Sequence, residues 1–300
     1  MVENIFSIAM SGTPKQMENV IKSGVDVNII DSHGKTPLHY AVVNNASLEV
    51  TKILIKAKAN VMARDIGGMT PLHAAAFDNK NAGVIRVLIK AGAKVNSRDK
   101  YNHTPLHWAV MIDTQPQVLS TLIQAEADVN ATNKDGLTPL HCAAIDNKNK
   151  QTIIDLVKAK ADIEARDKKD RTPLHLAAGR NKNPDVITTL INAGADVNAR
   201  AKGGWTPLHF AAKDNMKSDV ITALVQPEAD VNVTDKIGRT PLHVAAVFNK
   251  NPDVVLTLLK LGGDPKAKDS SGKTPWDYIQ KNEALKNTKA YRALNDARFE

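Results

Sequence analysis

The sequence has little of what a secreted or membrane-spanning protein needs. Cys142 is its one cysteine, so no disulfide can form within the chain, and a single thiol suits a reducing compartment. No uninterrupted apolar run reaches the roughly 18 residues that a membrane-spanning helix requires. The N-terminal segment carries Glu3 and no basic residue ahead of a short apolar stretch, unlike a signal peptide. We therefore expect a cytoplasmic protein without membrane insertion. A protein delivered into a host cell would show the same sequence features.

Aromatic residues are scarce as well, at 4% of the chain, which leaves small aliphatic side chains to do most of the packing. The net charge is +8. However, the balance of Lys and Arg against Asp and Glu turns negative in residues 104–137 and 206–239, so the excess is dispersed along the chain. A nucleic-acid-binding protein concentrates its positive charge in one stripe. The composition therefore argues against a nucleic-acid partner, which stays a minor alternative because lysines recur at the turn tips described below.

What the sequence does contain is a motif, Thr-Pro-Leu-His, that returns every 34 residues. It starts at Thr36 and recurs in seven units without an insertion, and Thr274 opens a variant, Thr-Pro-Trp-Asp. Because a fixed period of roughly 20–50 residues is typical of stacked repeats, we predict a single repeat domain over residues 1–300. Its predicted parts are an N-terminal cap, 1–35, the repeats 36–69, 70–103, 104–137, 138–171, 172–205, 206–239 and 240–273, and a C-terminal cap, 274–300.

Each unit opens with the features of a helix start. Thr206, for example, is a side-chain acceptor suited to an N-cap, and Pro207 is tolerated at the first helical position because no N–H is needed there. Leu208, Ala211 and Ala212 follow at helical spacing and form a narrow face that allows helices to approach closely. We expect this helix to end at residues that tolerate the left-handed conformation, namely Asn45, Asn79, Asp113, Asn147, Asn181, Asn215 and Asn249.

A second helix follows in each unit. Asn183 and Asn251 each precede Pro and Asp, which combines an N-cap, a proline at the first helical position and an acid at the positive helix end. Val186, Ile187 and Leu190 then form an apolar face at helical spacing. Two short helices cannot bury such faces alone, so the units must stack.

A tight turn closes each unit, and a glycine stands in it at a position where Asn102 and Asp170 are the exceptions. Asn and Asp are among the few residues that enter the left-handed region readily, so the exceptions support a turn with positive φ. The two ends of the chain depart from the motif, as caps do. The first helix of the head lacks Thr-Pro, and the tail ends in a charged segment that predicts a closing helix pair.

These repeats resemble those of the ankyrin family. Thr-Pro-Leu-His, the Ala-Ala pair, the Val-Ile-x-x-Leu-Ile helix and Ala-Asp-Val-Asn-Ala stand where that family has them, over essentially the whole chain. The resemblance implies an all-α solenoid with short β-turn or hairpin fingers and about nine stacked helix-turn-helix units, which binds proteins and is not an enzyme. The family's glycine after the second helix is replaced here by Lys58, Glu126, Lys160 and Glu228. We expect each of those junctions to be weaker by about 1 kcal/mol.

The nine histidines raise the question of metal or acid–base chemistry. Seven of them stand in the motif, where the resemblance implies hydrogen bonds within and between repeats. Stacked helices lie roughly 8–10 Å apart, too far for successive histidines to share a zinc ion with bonds near 2 Å. His33 and His103 lie in turn tips, and Cys142 is interpreted as a small side chain on the concave face. The sequence thus predicts no catalytic residue, no metal and no cofactor.

The resemblance also implies that a partner contacts the turn tips and the exposed side of the first helices, where we expect Cys142 and Leu176 to be exposed. Aromatic, Met and Arg side chains are enriched in binding hot spots. They concentrate in the units that begin at Thr70 and Thr104. We therefore predict a partner-binding set that comprises Met69, Phe77, Tyr101, His103, Trp108, Met111, Ile112, Ile145, Arg171, Trp205, Phe210 and Arg239.

Three functions fit such a surface. The leading hypothesis is a protein–protein interaction module, an adaptor or scaffold that is monomeric by itself. The second is an inhibitor or host-directed effector that blocks an enzyme's active site with its concave face. The third is an engineered binding scaffold, suggested by the unbroken repeat register, although the replaced glycines argue against a full consensus design.

Overall fold

The structure, a computed structural model, describes residues 4–43, 48–78, 81–111, 116–146, 149–225 and 229–299. These residues form α-helices joined by turns and contain no β-strand, so the predicted all-α class is confirmed. The chain divides into two compact units, Met1–Pro139 and Leu140–Glu300. A single domain over residues 1–300 stays a prediction.

The helices of the described residues alternate between the first and the second helix of each repeat. The first helices are α1 (Ile5–Ser11), α3 (Pro37–Ala41), α5 (Pro71–Asp78), α7 (Pro105–Met111), α9 (Pro139–Asp146), α11 (Pro173–Arg180), α13 (Pro207–Asp214), α15 (Pro241–Phe248) and α17 (Pro275–Ile279). The second helices are α2 (Pro14–Lys22), α4 (Leu48–Lys56), α6 (Ala82–Lys90), α8 (Pro116–Gln124), α10 (Lys150–Lys158), α12 (Pro184–Asn192), α14 (Ser218–Val225), α16 (Pro252–Lys260) and α18 (Lys289–Asp296). The predicted helix pairs, including the closing pair, are therefore confirmed.

The first helices begin as the sequence predicts. In α13, Thr206 is extended at the N-cap and Pro207 is the first helical residue. Thr206 and His209 form a capping box, in which the backbone N–H of Thr206 donates to Nδ1 of His209 at 3.2 Å. The same arrangement opens α3, α11 and α15. These bonds satisfy backbone groups that would otherwise lack partners at a helix start.

The leucines and alanines of the motif form the core between stacked helices. In Met1–Pro139, α1 packs on α3, α3 on α5 and α5 on α7; in Leu140–Glu300, α11 packs on α13, α13 on α15 and α15 on α17. The alanine pairs, such as Ala211 and Ala212, are fully buried and let these helices approach closely. Burial of each motif leucine contributes roughly 2–3 kcal/mol. The buried motif leucines are Leu38, Leu72, Leu106, Leu140, Leu174, Leu208 and Leu242.

The turn tips are held by side chains that accept hydrogen bonds from the backbone. Oδ1 of Asp65 accepts from the N–H groups of Gly67 and Met69, at 2.8 and 2.9 Å. The N–H of Ile66 donates to the carbonyl of His33 in the preceding tip at 2.9 Å. The predicted left-handed position is confirmed, because φ is positive at Gly34, Gly68, Asn102, Gly136, Asp170, Gly204, Gly238 and Gly272. The fingers are thus turns that bond to one another along each compact unit.

The asparagines after the first helices do not adopt the conformation that we predicted. Asn181, Asn215 and Asn249 have φ of −74°, −85° and −74°, so the left-handed prediction is wrong for them. Their side chains are buried and bond to backbone carbonyls of the preceding repeat; Nδ2 of Asn215 donates to Ala178 at 2.9 Å and to Asn181 at 2.8 Å. An amide that joins two repeats in this way has to point inward from an extended backbone. The other predicted members, Asn45, Asn79, Asp113 and Asn147, lie outside the described residues.

The position after the second helices is left-handed, as the resemblance implies. Four glycines have φ between 86° and 98° there, and Lys58, Glu126 and Lys160 have φ of 70°, 62° and 66°. Glu228 lies outside the described residues. A side chain in this region brings its Cβ close to the following carbonyl, which costs roughly 1–2 kcal/mol. The three described junctions therefore carry local strain.

Replacement of Lys160 by glycine is expected to raise the free energy of unfolding by about 1 kcal/mol, because it relieves that strain. Urea unfolding followed by circular dichroism measures the change. The matched control is Gly92→Lys, for which the sign is reversed, since an added Cβ at Gly92 meets no heavy atom within 4 Å and only the backbone is affected. A change of the same sign in the free energy of unfolding of both variants would contradict the prediction.

Candidate functional site

The motif histidines have their ring nitrogens bonded to backbone groups. In six of them, the N–H of the motif threonine donates to Nδ1 at 3.1–3.2 Å. In all seven, Nε2 lies 2.9–3.1 Å from a carbonyl of the next turn tip. Because an N–H donates to Nδ1, the ring proton is on Nε2, which donates to the carbonyl. The seven are His39, His73, His107, His141, His175, His209 and His243.

These rings are buried, and desolvation lowers the pKa of every one of them. For His107 and His175 the pKa falls to about 4, although the hydrogen bond to the carbonyl acts in the opposite direction. A neutral imidazole with these partners ties consecutive repeats together. It has no nitrogen left with which to take a proton from a substrate.

The described residues contain no group of three or more His, Cys, Asp or Glu that could hold a metal ion. Nor does any described helix have the length and apolarity to cross a membrane. Cys142 and Leu176 are 4% and 3% exposed, so the prediction that they are exposed is wrong. Longer side chains at the same place in other repeats, such as Trp108 and Phe210, are half buried. The length of the side chain therefore decides whether this position reaches the surface.

A groove of about 440 Å³ lies along the first helices of Met1–Pro139, and we call it the apolar groove. Phe77 and Trp108 line it as an edge-to-face pair, with ring centroids 5.3 Å apart. Phe77 is 37% exposed, and Nε1 of Trp108 donates to Oδ2 of Asp99 at 3.1 Å, which fixes the indole. The groove is lined by Met10, Lys35, His39, Tyr40, Val43, Asp65, Met69, Ala74, Phe77, Asp78 and Trp108.

Other predicted residues of this unit extend the surface beyond the apolar groove. The ring of His103 lies 5.4 Å from Trp108 and 6.3 Å from Tyr101, which is 64% exposed at a turn tip. Met111 is half buried at the end of α7. Ile112 lies outside the described residues. The structure thus brings Met69, Phe77, Tyr101, His103 and Trp108 together.

A second groove, of about 530 Å³, lies in Leu140–Glu300, and we call it the basic groove. Phe210 stands in it, edge to face with Trp205 at 5.5 Å, and the guanidinium of Arg239 lies 5.5 Å from the Trp205 ring. Arg171, Trp205, Phe210 and Arg239 therefore form a separate cluster. Ile145 is half buried on α9. The basic groove is lined by Lys169, Arg171, His175, Leu176, Gly179, Arg180, Lys202, Phe210, Lys213 and Asp214.

Sequence reasoning left several lining residues out of its predicted set. Met10 stands in the head at the position that Val43 occupies one repeat later, but the head lacks the Thr-Pro-Leu-His motif, and the predicted set comes only from the units that follow it. Arg180 stands on a first helix and Lys202 at a tip. Lysine is not among the residue types enriched in hot spots, and the predicted set omits Arg180 although arginine is one of them. Gly179 stands where other repeats have a large side chain. A selection by hot-spot residue types does not detect a position at which the side chain is absent.

Comparison with protein families gives a match. The model described as ankyrin repeats (3 copies) matches residues 5–99, 63–133, 106–201 and 178–269, which together run over most of the chain. Comparison with curated proteins gives no match. The matched segments overlap, as expected when a family model of three repeats is compared with a longer array of similar repeats.

Proposed function

Because the chain belongs to the ankyrin repeat family, whose repeats are generally protein–protein interaction modules, we propose that it is an adaptor or scaffold that binds a partner protein. The turn tips and the first helices supply the binding surface. Its place of action is the cytoplasm, where the thiol of Cys142 is kept reduced.

The apolar groove is the observation that supports this proposal. Contiguous exposed apolar surface on a soluble protein is typical of a binding site. Phe77 and Trp108 hold each other edge to face at 5.3 Å, so little side-chain entropy is lost when a partner covers them. Such rigid aromatic side chains are the anchors that dominate binding energy at protein interfaces.

The lining of the apolar groove also favours binding over catalysis. His39 is its one histidine, and both ring nitrogens of His39 are engaged, by Thr36 at 3.1 Å and by the carbonyl of Met69 at 3.1 Å. General base catalysis needs a ring nitrogen that can reach a substrate proton. A partner's aliphatic or aromatic side chain, inserted between Tyr40 and Phe77, fits the groove, and its binding requires no chemical reaction.

The double substitution Tyr101→Ala and Met111→Ala is expected to weaken partner binding by roughly thirtyfold without unfolding the protein. One exposed and one half-buried side chain of the predicted binding surface are lost, and no fully buried core residue is changed. Partners are first identified by affinity purification from the native source with mass spectrometry. The affinity of the purified partner for each variant is then measured by calorimetry, and circular dichroism verifies the fold.

The matched control is Met216→Ala with Phe299→Ala, which removes two exposed apolar side chains, 46% and 77% exposed, from the other compact unit. It is expected to leave the affinity unchanged. An unchanged affinity in the Tyr101 and Met111 variant would overturn the placement of the site. An activity assay on the captured partner then separates an adaptor, which leaves the partner active, from an inhibitor.

A further inference from the structure

The basic groove carries an excess of positive charge that the apolar groove lacks. Five cationic side chains line it, and Asp214 is the only carboxylate among its lining residues. The cationic side chains come from two successive tips and two successive first helices, so they surround the groove on both sides. They are Lys169, Arg171, Arg180, Lys202 and Lys213.

Most of this charge is not neutralised within the protein. Arg171 is held by Asp167, with Nε and Nη2 at 2.8 and 2.6 Å from Oδ2, so its guanidinium is fixed as one wall. Lys213 lies 3.3 Å from Asp214 in an exposed pair, which contributes little. Among the residues that the structure describes, the other three cations, Lys169, Arg180 and Lys202, make no ion pair.

Several acidic side chains of the same repeats do not line the groove. Asp155 and Asp185 are on the second helices α10 and α12, and Asp196 is in the loop after α12. Asp167 and Asp235 do lie in turn tips, but each is held by an arginine, Arg171 and Arg239. The positive excess therefore belongs to the lining of the groove. The dispersed balance along the sequence conceals this local excess, because each repeat contributes both signs.

The absence of a side chain at Gly179 opens the floor of the groove. At the same place in other repeats stand Phe77, Met111 and Ile145, each of which has a large apolar side chain. A Cβ added at Gly179 would lie 3.5 Å from Cβ of Phe210, in ordinary contact, so a methyl group is accommodated there without strain. Its absence leaves the half-buried ring of Phe210 accessible at the floor of the groove, beside Leu176, which is buried.

We propose that the basic groove binds an acidic peptide segment of a partner protein, with an aliphatic side chain on Phe210 and flanking carboxylates on Arg180 and Lys202. This groove is different from the one that supports the proposed function, so each proposal can fail without the other. Complementary charge at the rim of an interface steers association and selects the partner.

The floor of the groove favours a peptide over a nucleic acid. Nucleic-acid binding would use open aromatic faces for base stacking. The Phe210 ring is instead packed edge to face against Trp205 at 5.5 Å and His175 at 5.4 Å. With Leu176 beside it, the remaining surface suits an aliphatic side chain, which nucleic acid does not have.

Fluorescence anisotropy with the full chain tests the proposal. The probe is a fluorescein-labelled peptide of repeated Asp-Leu-Glu, and the comparison peptide has Asn and Gln in place of the acids. We expect the acidic peptide to bind at least about tenfold more tightly than the neutral one, and the substitutions Arg180→Glu with Lys202→Glu to remove about tenfold of its affinity. Gly179→Met is expected to block binding, and Gly179→Ala to preserve it.

A control pair with the same change of net charge, Lys158→Glu with Lys182→Glu, is exposed on α10 and in the loop before α12 and should leave binding unchanged. Equal loss in both charge-reversed pairs would show that the overall field of the protein binds the peptide, and would overturn the proposal. So would equal binding of the two peptides, or unchanged binding by Gly179→Met. Displacement of the peptide by oligothymidine would assign the groove to nucleic acid instead.

Discussion

The free energy of unfolding is expected to fall steeply as the pH is lowered from 6.5 towards 4. The loss amounts to about 3 kcal/mol for each of His107 and His175. The other five motif histidines, whose pKa values burial also lowers, add to it. A protein of ordinary stability has a free energy of unfolding of roughly 5–15 kcal/mol. Acidification should therefore unfold this protein before the pH reaches 4.

The sign follows from where the protons bind. In the unfolded chain a histidine has a pKa of 6.5, whereas in the folded protein desolvation by burial lowers the pKa of His175 to about 4. Between these pH values the histidine binds a proton in the unfolded chain and does not bind one in the folded protein, so acid favours unfolding. The contribution is complete above 6.5 and is lost as the pH falls to the folded value. Protonation of Nδ1 would also set two donors, Nδ1–H and the threonine N–H, against each other.

The acidic residues act mainly at lower pH. Burial works to raise the pKa of Asp31, but hydrogen bonds from Tyr40 and from the backbone of Lys35 and His33 outweigh it and lower the pKa to about 2. That carboxylate loses its stabilising effect only as the pH falls below 3.8. Burial raises the pKa of Glu164 above 4.5, which slightly offsets the histidines because acid then favours its folded form. The decline above pH 4 is therefore assigned to the histidines.

Urea unfolding at a series of pH values, followed by far-ultraviolet circular dichroism, measures this dependence. The control is His175→Gln, because glutamine does not titrate and this chain already uses it in a capping box, where Oε1 of Gln16 accepts from the N–H of Thr13 at 2.8 Å. The variant should be less stable at neutral pH, and its stability should change with pH by up to about 1.4 kcal/mol per pH unit less than that of the wild type. An unchanged pH dependence would rule out His175 as a source.

The helix starts could be predicted from the sequence because their chemistry is local. The acceptor of Thr206 and the missing N–H of Pro207 act within one turn, so the residues themselves specify the structure. The positive φ at Asn102 and Asp170 could be predicted for the same reason, since only a few residue types tolerate it. Because the motif recurs every 34 residues, each local conclusion applies to every repeat.

Features that depend on contacts between repeats were predicted poorly. Asparagine tolerates a left-handed backbone and also bonds to distant carbonyls, and residue type alone does not separate these roles. The exposure of Cys142 and Leu176 was predicted wrongly because it depends on how far a neighbouring helix covers a short side chain. The basic groove arises from the absent side chain of Gly179 and from cations that lie far apart in the sequence, so its formation depends on the stacking itself.

Replacement of Asn215 by alanine is expected to lower the free energy of unfolding by about 3–4 kcal/mol. The Asn215 amide donates to the carbonyls of Ala178 and Asn181 and accepts from the N–H of Lys217 at 2.9 Å, and the side chain is buried. Its loss leaves two buried carbonyls and the part-buried N–H of Lys217 without these partners, and each unsatisfied buried group costs roughly 1–3 kcal/mol. Asn249 makes the same pair of bonds one repeat later, so its replacement should have a similar effect.

Asn215→Gly distinguishes this role from the left-handed cap that the sequence suggested. Were the residue a left-handed cap, glycine would be tolerated or would stabilise, as Lys160→Gly is expected to do at a position with φ of 66°. Because Asn215 has φ of −85° and acts through its amide, glycine should be at least as damaging as alanine. Urea unfolding of the three variants side by side gives the comparison. A stable Asn215→Gly variant would mean that the amide bonds between repeats contribute nothing, and that the repeats are held together by their apolar faces and histidines alone.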